Sequence, residues 1–167
     1  KNVYQVLELT RQSIKLSRVD NIDLAEANKY LESTMNEMGF SVSDVGRIVD
    51  SWTSVTNKAQ VTLQDLAEGV ARAGGAAKLA GVGFDTLNGL IAAGVRSTGA
   101  AGHEIGNMLK TVFGKMYTAD ATRELNQVGV ATHEVVDGVR ELRPAQDILG
   151  ELASKWHGLT RAQQESI

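Results

Sequence analysis

A chain of 167 residues, 43% of them hydrophobic, is long enough for one domain or two small ones and needs neither disulfides nor metal to fold. The absence of cysteine excludes thiolate chemistry, and a net charge of −3 argues against a dedicated nucleic-acid surface. The longest apolar run, Leu90 to Val95, falls far short of the roughly 20 residues of a membrane span.

Helical periodicity dominates from the start. Val3, Val6, Leu7, Leu9, Ile14 and Leu16 predict a first helix from Lys1, read as continuing from a truncated N-terminal region over 1–19. Asp23 and Glu26 form a capping-box-like start for a helix through Met38, with Gly39 as its stop. Ser41 or Ser43 caps a third, with Val45, Ile48, Val49 and Trp52 on one side. Thr62 to Asp65 opens a fourth, expected to end at Gly74-Gly75 and to be followed by a short turn, Ala76 to Ala80. Asp85 is expected to cap Thr86 to Ala93. The longest helix is expected over Ala101 to Met116, with Ile105, Leu109, Val112, Phe113 and Met116 on one face. A shorter one follows over Ala121 to Gln127.

Between Val130 and Leu142 the pattern becomes β-branched around Asp137-Gly138, which predicts a small β-hairpin or an irregular loop. Pro144, the only proline, suits the first position of a helix whose buried face is Ile148, Leu149, Leu152 and Trp156. Thr160 caps a last helix. The expected fold is all-α, a compact bundle of short Ala/Gly-rich helices with a small hairpin near 130–142. Gly39-Phe40 and Gly83-Phe84 both follow one helix and introduce another, as a duplicated helical hairpin of period about 44 would explain.

Residues 72–95 carry six glycines beside only Arg72, Lys78 and Asp85 as charges. Each interior glycine costs a helix about 1 kcal/mol relative to alanine. The compensation is close packing of backbones, and Gly102-His-Glu-Ile-Gly106 has the small-xxx-small spacing that puts two glycines on one face. Gly102, Gly106, Leu109, Phe113 and Trp156 are therefore the candidate packing or interaction residues.

Nothing specifies catalysis. His103-Glu104 and His133-Glu134 start like zinc-peptidase motifs, but the fifth positions are Asn107 and Asp137. The Gly81-Val-Gly83 turn follows a helix and lacks a third glycine, and Asp20-Asn-Ile-Asp23 lacks the remaining calcium-loop ligands. No catalytic, cofactor or metal site is expected, and no enzyme activity.

The segment Leu63-Gln-Asp-Leu-Ala-Glu-Gly-Val-Ala-Arg-Ala-Gly-Gly-Ala-Ala-Lys-Leu-Ala-Gly-Val resembles the alanine–glycine helical pair in the core of phage tail tape measure proteins of long-tailed phages and prophages. Leu90-Ile-Ala-Ala-Gly-Val, Gly102-His-Glu-Ile-Gly-Asn-Met-Leu-Lys-Thr-Val-Phe, Leu125-Asn-Gln-Val-Gly-Val, Asp137-Gly138, Asp147-Ile-Leu-Gly-Glu-Leu-Ala-Ser-Lys-Trp-His-Gly-Leu-Thr and the final Gln163-Gln-Glu-Ser-Ile follow in that family's order. The likeness covers 61–167 well and 20–60 loosely. His103-Glu104 departs from the small residues of some members. It implies a helical tape-measure core domain over 20–167, cut at its C-terminal end. It further implies a scaffold and ruler for tail length, released from the tube at DNA ejection. The implied partners are the tail tube protein, tail assembly chaperones and tail-tip proteins, with self-association of the full protein. The implied location is the virion tail, in the tube lumen or tip, after assembly in the host cytoplasm. From the residues alone, a bacterial helical interaction module and an enzyme with an unrecognised site remain alternatives.

Overall fold

Nine α-helices and one two-stranded hairpin make up residues 2–167, the part described by the computed structural model, with 75% of residues helical. The helix start expected at Lys1 lies outside the described residues. Six helices come first: α1 (Val3–Val19), α2 (Leu24–Met38), α3 (Val45–Ala59), α4 (Leu63–Leu79), α5 (Phe84–Thr98) and α6 (Gly102–Lys115). They form three hairpins, α1–α2, α3–α4 and α5–α6. The hairpins stack so that α1, α3 and α5 make one layer and α2, α4 and α6 another.

The stack is a repeat with a step of 39 residues. The caps of α2, α4 and α6 are Asp23, Thr62 and Ala101, each followed three residues later by an acid, Glu26, Asp65 or Glu104. Two residues before each cap the chain turns through the left-handed region, at Asn21 (φ 53°), Gln60 (φ 53°) and Gly99 (φ 72°). The buried residues keep the same step: Leu9, Ile48 and Leu87 in one layer, Ala27, Leu66 and Ile105 in the other. The expected period of about 44 is thus corrected to 39. Gly39-Phe40 lies in the connection before α3, whereas Gly83 caps α5 and Phe84 is its first residue, equivalent to Val45, the first of α3. Buried faces, not loops, hold the register.

Local differences have physical causes. Helix α4 runs unbroken through Gly74-Gly75, because Gly74 is buried against α2, where an added Cβ would lie 2.9 Å from Glu37 Cβ. The stop comes at Gly81 (φ 71°), where Val82 N–H returns to Ala77 O in a Schellman-type closure. Ser41 caps a 3₁₀ turn, Val42–Asp44, that leads into α3. Gly83, not Asp85, caps α5.

The C-terminal third comprises α7 (Ala119–Gln127), β1 (His133–Val136), β2 (Val139–Leu142), α8 (Ala145–Lys155) and α9 (Arg161–Ser166). Pro144 is the cap of α8 rather than its first residue. The strands are antiparallel around Asp137 and Gly138, both with positive φ as a type I′ turn requires. This unit docks on the α4–α5 corner: Ala145 N–H donates to Ala80 O, and Tyr117 Oη lies 2.8 Å from Arg143 O and 3.3 Å from Ala80 O.

Candidate functional site

The glycines of α6 face α4. A side-chain atom at Gly102 would overlap the Asp65 backbone, and one at Gly106 would lie 2.6 Å from Gly69 O and 3.0 Å from Gly69 Cα. The two helices therefore meet backbone to backbone, with Gly69 opposite Gly106. Asp65 joins them: its carboxylate accepts the Thr62 hydroxyl at 2.6 Å and the Gly102 N–H at 2.9 Å. An acid at the N-terminus of α6 satisfies an otherwise unpaired donor and complements the helix dipole. Leu109 is half-buried against the core and Phe113 is buried in it.

The other layer is held by a polar chain. Buried Trp52 Nε1 donates to Asn88 Oδ1 at 3.1 Å, Asn88 Nδ2 reaches Ser51 Oγ at 3.4 Å, and Ser51 Oγ donates to Asp85 at 2.6 Å. Phe84 packs edge-on to Phe40 with ring centroids 5.5 Å apart, and tilted against Trp52 at 6.1 Å. Such satisfied networks fix the register of a helix pair.

Trp156 is a correction. It closes α8 and opens a 3₁₀ turn, 36% exposed, while Ile148 alone of the expected α8 face is fully buried. The α-helix gives way to the tighter 3₁₀ turn at Trp156, so the 3.6-residue stripe does not extend to the indole. An open apolar groove of about 570 Å³ runs between α6, α7, α8 and α9, past Val112, Leu125, Leu149 and Ile167.

His103 and His133 are apart, and each has a partner. His103 Nδ1 lies 3.2 Å from Glu68 Oε2, while Glu104 caps its own helix by accepting the Ala101 N–H. His133 sits beside the Thr132 hydroxyl, and Glu134 stands across the hairpin from Glu141. Among the described residues no three His, Asp or Glu side chains converge as a metal site would need. A polar groove of about 470 Å³ between α2 and α4 holds Tyr30, Glu68, Arg72 and His103. Tyr30 is pushed well above the usual phenol range by burial and by its hydrogen bond to Glu26, so it stays protonated there. None of these groups forms a nucleophile–base pair.

A family model described as "Phage-related minor tail protein" matches residues 2–167. The chain belongs to that family. It is therefore a phage tail protein with a structural role, located in the virion tail. No solved structure matches it. No helix among the described residues is long and apolar enough to cross a membrane.

For this tail protein the informative surfaces are those that stack its hairpins. The Gly102–Gly106 spacing draws attention to α6, but the receiving residues Asp65 and Gly69 carry no separate signal. Asp65 reads only as a helix cap, and Gly69 as one glycine among many. Asn88, the buried polar hub of the α3–α5 contact, is equally silent. Its one available signal is a polar residue at the 39-residue equivalent of the core position Val49.

Proposed function

We propose that this tail protein is the core segment of a tape measure protein, over residues 20–167. It serves as scaffold and ruler in tube assembly and leaves the tube at DNA ejection. Its partners are the tail tube protein, tail assembly chaperones and tail-tip proteins, with self-association of the full protein, and its place is the tube lumen or tip. The observation that carries this reading is the ordered set of segments from Leu63 to Ile167 that resembles the tape measure core, in a chain that belongs to a tail family.

Geometry adds how such a segment counts in a ruler. Packed helices lie about 8–10 Å apart, so each 39-residue hairpin step advances the stack by about 10 Å. The same residues in one straight helix span about 58 Å. The segment therefore contributes little length while folded, which suits a tail end. An in-frame deletion of residues 61–167 in the complete gene, scored by electron microscopy, is expected to give tails of unchanged length or failed assembly. Tails shortened by about 160 Å, the helical rise of that segment, would overturn the compact reading. Infectious particles with normal tails in the absence of the gene would overturn the tape measure reading itself.

A further inference from the structure

The β-hairpin is an arm with a fixed base. At the base, Arg143 N–H donates to Thr132 O, the Arg143 guanidinium donates to Ala131 O at 2.7 Å, and the buried Thr132 hydroxyl donates to Thr122 Oγ1 at 3.2 Å. Beyond the base the cover ends. Val135 is 74% exposed, Val139 59%, Leu142 55% and Val136 42%. This exposure does not come from a chain end, because the segments on either side of the hairpin are both held against the body. Two strands alone are marginal in water, and a third strand or a packed helix is what stabilises them. Each strand also keeps one outer edge, where no further strand meets its backbone N–H and C=O groups.

The charges of the arm work against its own stability. Alternation puts Glu134, Val136, Val139 and Glu141 on one face and His133, Val135, Arg140 and Leu142 on the other. Glu134 stands directly opposite Glu141, and like charges in that position repel. Among the described residues neither carboxylate has an ion-pair or hydrogen-bond partner. Arg140, the one Arg or Lys of the two strands, is on the other face. Charge on an exposed strand guards against stray pairing. Glu opposite Lys would guard as well, and would attract. Two facing acids beside two exposed valines are instead half of a contact whose cations come from elsewhere.

We propose that the β1–β2 hairpin is a docking arm for another protein of the tail. That protein lays an extended segment along the hairpin as a third strand, with Lys or Arg over Glu134 and Glu141 and apolar side chains beside Val136 and Val139. Strand addition takes its affinity from main-chain hydrogen bonds and its selectivity from every second side chain. The occupant is not a second copy. Among the described residues β1 and β2 are the only strands, and pairing copies of either one antiparallel gathers the glutamates of both on one face. The inference rests on membership of the tail family and not on the tape measure reading.

The test is hydrogen exchange over residues 133–142, followed by mass spectrometry on the complete protein. In the purified protein, dilute or concentrated, the hairpin is expected to exchange fast. In assembled tails it is expected to be protected. Protection in the purified protein would overturn the proposal, since the cover would then come from the same chain or from a second copy. Fast exchange in assembled tails would overturn it too. Charge selectivity is read with two synthetic peptides, one alternating valine and lysine, the other valine and glutamate. Only the lysine peptide is expected to protect the hairpin of the complete protein. Glu134→Lys with Glu141→Lys keeps two like charges opposite each other, so the hairpin itself changes little, and circular dichroism checks the fold. In that variant the preference is expected to reverse to the glutamate peptide. Protection by both peptides alike, by neither, or with a preference that the variant does not reverse would overturn the proposal.

Discussion

Two glycines of α6, eight residues apart, should respond to the same substitution with opposite sign. At Gly114 an added Cβ meets nothing within 4 Å, so Gly114→Ala should gain the helix-propensity difference, about 1 kcal/mol. At Gly106 the same methyl falls 2.6 Å from Gly69 O, 2.8 Å from Arg72 Cβ and 3.0 Å from Gly69 Cα. Two of these are backbone atoms, so no rotamer change relieves the clash, and α4 and α6 must move apart. Overpacking of this kind costs about 1–3 kcal/mol, against the same propensity gain of about 1 kcal/mol. Gly106→Ala should therefore fall about 1–3 kcal/mol below Gly114→Ala, and Gly106→Leu further still. Urea denaturation followed by circular dichroism, extrapolated linearly to water, gives both values. Equal stabilities would refute the backbone-to-backbone contact and show that the Gly102–Gly106 face is open.

Three other outcomes follow from single sites. The Thr34 hydroxyl is buried without a hydrogen-bond partner, and its repeat equivalent is Ala73, so Thr34→Val should stabilise the chain by about 1 kcal/mol; a lower urea midpoint would show that the hydroxyl is satisfied. Gln60 holds a left-handed turn where the next repeat has Gly99, so Gln60→Gly should gain about 0.5–1 kcal/mol, and a loss in the same assay would contradict the shared turn geometry. Glu151 is held below the usual carboxylate range by its hydrogen bonds to Lys155 and then Arg143, which also reach Gly129 O and Ala131 O. A depressed pKa gives stability that is present above the unfolded value and lost as pH falls through the folded one. Acid should therefore raise hydrogen exchange around α8 and the β-hairpin before it does in α4, and Glu151→Gln should raise it there at neutral pH; an exchange pattern that stays uniform between pH 6 and pH 3 would contradict this.

Much of the helical layout is legible from caps and periodicity. Asp23, Thr62 and Thr160 each cap where their side-chain chemistry indicates, and Asp137-Gly138 makes the hairpin turn. What misleads is glycine read only through its local cost. Gly74-Gly75 reads as a stop because a helix interior penalises glycine, yet the pair packs against Glu37 of α2, a contact from more than thirty residues away. The repeat was hidden for a related reason. Equivalent positions hold Val45 and Phe84, or Leu63 and Gly102, which share burial but not identity. Trp156 shows the limit of periodicity itself, since the stripe extrapolates past a helix that has already ended.

If the chain stacks in 39-residue steps, a distance across two steps reports the stack directly. Ala25 and His103 occupy the same position in α2 and α6, with α4 between them. The chain has no native cysteine, so Ala25→Cys with His103→Cys gives a clean pair for spin labels. Two helix spacings put the labels about 20 Å apart, whereas one continuous helix would put them about 117 Å apart. Dipolar electron resonance on the purified chain should return a single distribution near the first value, and a distribution centred beyond about twice that spacing would contradict the stack.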